Sequence, residues 1–111
     1  MNSPLKRSKA VDAALNNIDS DFVKALAEPA RIQIMKQLIL LGPSDVKTLS
    51  EQMPQDRSVI SRHLALMEKA GILTASKEGR HVVYRVDGQG ALQKSEQLLQ
   101  SIRECLSLGC C

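Results

Sequence analysis

The segment from Asp56 to Tyr84 constrains this chain most, because it combines a polar and basic helix start, a glycine turn and a basic hairpin. It reads DRSVISRHLALMEKAGILTASKEGRHVVY. Asp56 is a predicted N-cap of the helix, and Gly71 follows the helix as a C′ glycine. A capped helix followed by a basic hairpin is typical of a winged helix-turn-helix module, whose recognition helix enters the major groove of DNA. The segment therefore predicts a DNA-reading surface.

The size and composition of the chain predict one mainly helical domain. Its 111 residues are enough for a single modest core. Aromatic residues make up only 2%, so the core must consist of aliphatic side chains, a mixture that favours helices. The predicted fold class is mainly α with a small β-hairpin. We expect a dimer, because so small a monomer leaves apolar helix faces exposed.

Helical spacing of apolar residues and the positions of glycine and proline predict the elements. The first predicted helix covers residues 10–18 and continues to residue 26 with a bend near residues 19–21. The other predicted helices cover residues 29–41, 44–53, 57–70 and 91–108, and the predicted strands cover residues 72–76 and 82–86. Pro29 suits the first turn of its helix, and Ser44 is the predicted cap of the short helix. Gly88 and Gly90 are predicted to break the chain before the last helix.

These elements divide the chain into three predicted parts. Residues 1–9 form a flexible basic tail, residues 10–108 form the DNA-binding and dimerisation domain, and residues 109–111 form a cysteine-bearing tail. No run approaches the ~18 apolar residues that cross a bilayer, and the first residues lack the apolar core of a signal peptide. We therefore expect a cytoplasmic protein without a membrane partner, whose thiols stay reduced.

Polar and basic side chains crowd the first turns of helix 57–70 and the hairpin loop. The candidate DNA-contacting residues are Arg57, Ser58, Ser61, Arg62, His63, Lys77 and Arg80. Arg57, Ser58 and Arg62 are predicted to read bases, since arginine can bond guanine bidentately. Ser61 and His63 are predicted to lie nearer the DNA backbone, and the two wing cations to contact phosphate or the minor groove.

The positions of the basic residues support DNA binding, whereas the net charge of the chain does not. A net charge of +3 with a pI near 8.9 says little about partners by itself. An ordinary solvated basic surface is the alternative for these charges. A structural contact is the alternative for His63, which lies close to apolar residues in the helix.

Several motifs in order resemble the ArsR/SmtB family of bacterial metal-responsive repressors, from about Phe22 to Val86. The matching runs are LAEPARIQIM at 26–35, SRHL at 61–64, EKAGIL at 68–73, and EGR at 78–80 followed by YR at 84–85. The resemblance implies a winged-helix homodimer, formed through its first and last helices. It also implies binding to double-stranded operator DNA, with release when an inducer binds.

Two inducer sites of that family lack their ligands in this chain. The family often carries Cys-Val-Cys on the short helix before the recognition helix, where this sequence has Asp45-Val46-Lys47. The family's zinc site on the last helix uses Asp and His, and residues 88–111 contain no His. Any inducer is therefore expected elsewhere.

The cysteines offer that site. Cys105, Cys110 and Cys111 are the only ones in the chain and lie within its last seven residues. Three thiolates suit the trigonal preference of trivalent arsenic or antimony, and soft ligands also accept Cd(II), Pb(II) or Hg(II). Arg103 is a nearby cation that would favour thiolates. We expect As(III) or Sb(III) as inducer, and no organic cofactor.

Three alternatives accompany this prediction. Cys105 fits the apolar stripe of the last helix, so the alternative is that it is a buried apolar residue beside a disordered tail. Oxidation or a persulfide could instead close a bridge from Cys105 to Cys110 or Cys111. A thiol enzyme such as an arsenate reductase is disfavoured, because no cysteine opens a helix or lies in a glycine-rich phosphate loop; we expect no enzyme.

Overall fold

The computed structural model describes residues 4–109, which form helices and one two-stranded hairpin. The elements are α1 (Pro4–Asn16), α2 (Ser20–Ala27), α3 (Pro29–Leu41), α4 (Val46–Glu51), α5 (Arg57–Lys69), β1 (Leu73–Glu78), β2 (His81–Val86) and α6 (Gly88–Ser107). This order, with helices before a hairpin and a closing helix, confirms the predicted fold class.

The described residues form two compact units. The central unit is Ser20–Ala91, and the end unit comprises residues 4–19 and 92–109. The end unit contains α1 and most of α6. Nζ of Lys94 lies 2.6 Å from Oδ2 of Asp19, an ion pair that joins the two ends of the chain.

The core of the central unit consists mainly of aliphatic side chains, as the low aromatic content predicts, together with the buried Phe22. Its largest fully buried side chains are Ile34, Leu49, Ile60, Leu64, Met67, Ile72 and Leu73. Three of them, Ile60, Leu64 and Met67, repeat along one face of α5 at helical spacing. Burying each contributes about 1.5–3 kcal/mol, so this face fixes α5 against the body of the unit.

The hairpin is longer than predicted and its loop is shorter. β1 pairs with β2 in antiparallel register from Leu73–Val86 to Glu78–His81, leaving Gly79 and Arg80 as the turn. Gly79 has φ +63°, a backbone conformation that glycine adopts without strain. Lys77 therefore lies in β1 and not in the loop where the sequence placed it.

Three helix starts also differ from the prediction. α1 begins at Pro4, so residues 4–9 of the predicted tail are helical. Asp45, not Ser44, caps α4, because its carboxylate accepts the backbone N–H of Thr48 at 2.8 Å. Gly88 and Gly90 lie in the first turn of α6 and do not break it.

None of the helices in the described part of the chain combines the length and the apolar composition that crossing a bilayer requires.

Candidate nucleic-acid interface

The DNA-reading segment forms a helix-turn-helix in the central unit. α4 ends at Glu51, residues 52–56 make the turn, and α5 begins at Arg57. Asp56 occupies the N-cap position as predicted, but its side chain makes no cap hydrogen bond. The first backbone N–H groups of α5 thus lack the cap that Asp56 was expected to supply, and such groups at a helix start suit anions.

The opposite faces of α5 differ as the sequence predicts. Arg57, Ser58, Ser61 and Arg62 are all exposed, while the apolar positions between them are buried or half-buried. Four polar side chains within the first two turns of one helix present donors that suit base edges and phosphate oxygens.

His63 differs from these four residues because it is half-buried and contacts the body of the unit. Its Nδ1 lies 3.1 Å from Nη1 of Arg31, at the start of α3. Desolvation lowers the pKa of His63 below its ordinary 6.5, and the neighbouring guanidinium of Arg31 lowers it further. The neutral ring is therefore favoured, in agreement with the structural alternative considered for this residue.

The wing presents two exposed cations and one paired cation. Lys77 and Arg80 are exposed at the end of the hairpin. Arg85 instead donates to Oε1 of Glu78 and to the hydroxyl of Ser76, both at 2.6 Å. Lys77 and Arg80 are thus the wing cations best presented to an anionic partner.

Two contacts attach the wing to the start of α4. Ser44 and Tyr84 exchange backbone hydrogen bonds, from Ser44 N to Tyr84 O at 3.1 Å and from Tyr84 N to Ser44 O at 2.8 Å. Next to this bridge, Nδ1 of His81 lies 3.0 Å from Oδ2 of Asp45. The hydrogen bond from Thr48, together with His81, holds the pKa of Asp45 below its ordinary 3.8. Wing and helix-turn-helix therefore form one connected surface.

The predicted inducer site is only partly described. Cys105 lies half-buried in the last turns of α6 and takes part in a disulfide bond. Cys110 and Cys111 lie outside the described residues. Within residues 4–109, no group of three His, Cys, Asp or Glu side chains is arranged to hold a metal ion.

A cation from α1 reaches the end of α6 beside this tail. Nη2 of Arg7 donates to the carbonyl of Gly109 at 2.7 Å, across 102 positions of sequence. Gly109 itself has φ +75°, as expected of a glycine that ends a helix.

The contacts made by Arg31, His81 and Arg7 have no signal in the sequence. Each contact joins residues that are far apart in the chain, so the spacing of residues within one element cannot predict it. A local signal existed only for Asp45, which precedes Thr48 by three residues, the spacing of an N-cap and its backbone donor.

The arrangement matches known proteins in sequence and in structure. The model of the bacterial regulatory protein, arsR family, matches residues 28–75. The arsenical resistance operon repressor of Escherichia coli K12 is 40% identical over 63 residues, covering 57% of this chain and 54% of that protein. A cadmium resistance transcriptional regulatory protein, CadC homolog, of Staphylococcus aureus is 30% identical over 106 residues, covering 95% of this chain and 88% of that protein.

Two further comparisons bear on length and on assembly. The chain matches 63% of the length of uncharacterized HTH-type transcriptional regulators from Mycobacterium tuberculosis, at 31% identity. The homodimeric winged helix-turn-helix DNA-binding domain of a possible ArsR-family regulator from Mycobacterium bovis superposes with a TM-score of 0.62 at 26% identity, covering 85% of each chain. Because the S. aureus relative matches over most of its length and the family model covers the helix-turn-helix, this chain belongs to the ArsR family of bacterial regulatory proteins.

Proposed function

We propose that this chain is a cytoplasmic, homodimeric DNA-binding repressor that leaves its operator when trivalent arsenic or antimony binds Cys105, Cys110 and Cys111. One observation carries the DNA-binding part: the first turns of α5 expose polar and basic side chains while their apolar face is buried in the same unit that carries the basic wing. Such a surface suits DNA binding by a transcriptional regulator, and we propose no catalytic step at it.

The DNA contacts divide by side-chain chemistry. Arg57, Ser58 and Arg62 are proposed to contact base edges, and Ser61 a phosphate oxygen. His63 would donate to the backbone from Nε2, because Arg31 already faces Nδ1. The two wing cations, Lys77 and Arg80, are proposed to contact phosphate, so binding should weaken steeply with salt.

Exposed apolar side chains in the end unit support a homodimer. Five of them on α1 and α6 are between 44% and 54% exposed: Leu15, Leu92, Leu99, Ile102 and Leu106. Covering such side chains stabilises association. The M. bovis domain of the same fold is homodimeric, which supports a dimer, and the exposed side chains on α1 and α6 are our reason to assign its contact to the first and last helices.

Sulfur chemistry supports the choice of inducer. Three thiolates match the coordination preference of As(III) and Sb(III), and the E. coli relative is an arsenical resistance repressor. The S. aureus relative is named for cadmium, which the same soft ligands accept. The guanidinium of Arg7 at the Gly109 carbonyl adds a cation near the tail, and a nearby cation raises the thiolate fraction.

Ion binding at the tail would act on DNA through the dimer. Cys105 lies on α6, which belongs to the proposed dimer contact. An ion bound by Cys105 would therefore change the position of α6 in the dimer. A coupling of roughly 1–3 kcal/mol is enough to change operator affinity about 5–150-fold.

A thiol oxidation switch is the second candidate, favoured by the disulfide bond of Cys105. Two cysteine thiols would form one disulfide and pass two electrons and two protons to a persulfide, which leaves as a thiol and hydrogen sulfide. In this alternative the reduced protein holds DNA and the oxidised protein releases it.

DNA binding is tested first, because both candidates depend on it. The wild-type protein, reduced with a thiol-free phosphine, is used to select duplexes from a random-sequence pool. We expect one enriched sequence family bound more tightly than a scrambled duplex of equal length, with affinity that falls as salt rises. No enrichment would contradict the proposal.

The inducer is tested by release of the selected duplex. Reduced protein bound to it is titrated with arsenite, antimonite, Cd(II), Pb(II), Hg(II) and a persulfide while fluorescence anisotropy is followed. Arsenite and antimonite should release DNA at the lowest concentrations. Release by the persulfide alone would favour the oxidation switch, and release by none would contradict both.

A further inference from the structure

Arg31 connects three helices of the central unit. From the first turn of α3, its Nη2 donates to the backbone carbonyl of Lys24 in α2 at 2.7 Å. Its Nη1 lies 3.1 Å from Nδ1 of His63, on the DNA-reading helix α5. Its Nε is buried without a hydrogen-bond partner among the described residues, while the residue as a whole is half-buried and its bond to Lys24 lies at the surface.

The chemistry of the two side chains determines the protonation of His63. A guanidinium only donates hydrogen bonds, so Nδ1 of His63 must carry the lone pair and the ring proton must lie on Nε2. A doubly protonated ring would turn a donor toward Arg31 and lose this contact. Glu28, before α3, and Arg62, on α5 itself, are the other charged groups that act on the ring.

We propose that Arg31 is a positioning residue, which holds the DNA-reading end of α5 in place through the neutral ring of His63. This inference rests on the proposed DNA-binding function. His63 directly follows Arg62, a proposed base reader, so a shift of its ring moves that arginine. An ion pair also joins α5 to α2, from Lys69 to Asp21 at 3.8 Å, but it lies at the far end of the helix and Lys69 is 72% exposed.

A positioning role and a purely stabilising role of Arg31 predict different effects of its loss on DNA affinity. If Arg31 sets the placement of α5, its loss disturbs base contacts, which tolerate little displacement, more than contacts to the flexible phosphate backbone. Affinity for the selected duplex should then fall more than affinity for a scrambled duplex. If Arg31 only stabilises the fold, the folded protein keeps the ratio of the two affinities.

The experiment is a double-mutant cycle with Arg31→Gln, His63→Leu and the combination, each measured on the selected and the scrambled duplex. Arg31→Gln should lower affinity for the selected duplex about tenfold and for the scrambled duplex less than about twofold. His63→Leu should lower the ratio of the two affinities to the same extent, and it should also weaken both complexes because it loses the proposed backbone contact of Nε2. The double variant should bind no more weakly than His63→Leu, because Arg31 acts through His63. His63→Asn, whose Oδ1 can accept the Arg31 donor, should restore most of the affinity ratio.

Two results would overturn the inference: additive losses in the cycle, or equal losses on the two duplexes. Should the Gln or Leu variants fail to fold by circular dichroism, Arg31→Lys decides the matter. Lysine keeps the charge but presents one ammonium where the guanidinium contacts two partners, so the affinity ratio should fall; an unchanged ratio would contradict the role.

A pH profile separates positioning from charge. As pH falls below 6.5, protonation of Nδ1 should lower the affinity ratio of the wild type, while the ratio of His63→Asn stays flat. A wild-type ratio that changes with pH no more than that of His63→Asn, down to the lowest pH at which the protein stays folded, would count against the inference. Failure of the wild type to select any duplex would instead overturn the proposed function itself.

Discussion

Asp45 and His81 join the start of α4 to the second strand of the wing, with Oδ2 of the carboxylate 3.0 Å from Nδ1 of the imidazole. The other carboxylate oxygen accepts the backbone N–H of Thr48 and so caps α4. The side chain of Asp45 is 20% exposed and that of His81 is 63% exposed. The cap should therefore contribute more to stability than the ion pair, which solvent screens.

Removing the two partners separately tests this ranking. Asp45→Ala should lower the free energy of unfolding by about 1 kcal/mol, the usual cost of losing a side-chain cap. His81→Ala keeps the cap and should cost less than about 0.5 kcal/mol. Urea denaturation at neutral pH, followed by circular dichroism, measures both; equal costs would contradict the assignment of the cap to Asp45.

The same carboxylate predicts a dependence of stability on pH. The hydrogen bond from Thr48 lowers the folded-state pKa of Asp45 below 3.8, so the unfolded chain takes up this proton first as pH falls. Its stabilising contribution is complete above the unfolded pKa and is lost as pH falls through the folded pKa. The stability difference between wild type and Asp45→Asn should shrink between about pH 6 and pH 3. A constant difference across that range would argue against a lowered pKa.

Arg62 is expected to carry sequence-specific affinity. Arg62→Ala should weaken binding to the selected duplex by about tenfold or more, since a bidentate arginine contact is worth about 1–3 kcal/mol. Lys69→Ala removes the same charge from the far end of the same helix and is the matched control, with little expected loss. Anisotropy titrations at physiological salt, with circular dichroism to check folding, distinguish the two. Equal effects would reduce the role of Arg62 to general charge.

The DNA-reading segment could be predicted closely because its signals are local. The buried face of α5 follows helical spacing at Ile60, Leu64 and Met67, and the turn after it requires the positive φ of Gly71. The sequence does not distinguish Ser44 from the adjacent Asp45 as the cap of α4, because both residue types cap helices. Only the folded backbone places the carboxylate of Asp45, and not the Ser44 hydroxyl, at the N–H of Thr48.

Contacts between distant residues could not be predicted in this way. The pair Arg31 and His63 is separated by 32 positions, and both residues have ordinary roles on a helix surface. The start of α1 at Pro4 was missed because residues 4–9 lack an apolar spacing, although proline is well suited to a first helical turn. The role of Cys110 and Cys111 stays a prediction.

Substitution by alanine should affect stability differently at the two glycines of α6, Gly88 and Gly90. A Cβ on Gly90 would lie 2.5 Å from the backbone oxygen of Gly71, while a Cβ on Gly88 meets nothing within 4 Å. Gly90→Ala should therefore destabilise the protein, and Gly88→Ala should be neutral or slightly stabilising, since alanine favours helices over glycine by up to about 1 kcal/mol. Thermal melts of both variants measure this. An equally stable Gly90→Ala would contradict the close approach of the backbones.

In the proposed repressor, the thiols of residues 105, 110 and 111 control the affinity of the helix-turn-helix for DNA. Arsenite-driven release of the selected duplex is the direct measurement, made on the reduced wild type, on each single Cys→Ser variant at Cys105, Cys110 and Cys111, and on the triple variant. All five proteins should bind DNA alike without arsenite, and only the wild type should release it in full. Release of the duplex from the triple variant at the wild-type arsenite concentration would contradict the account.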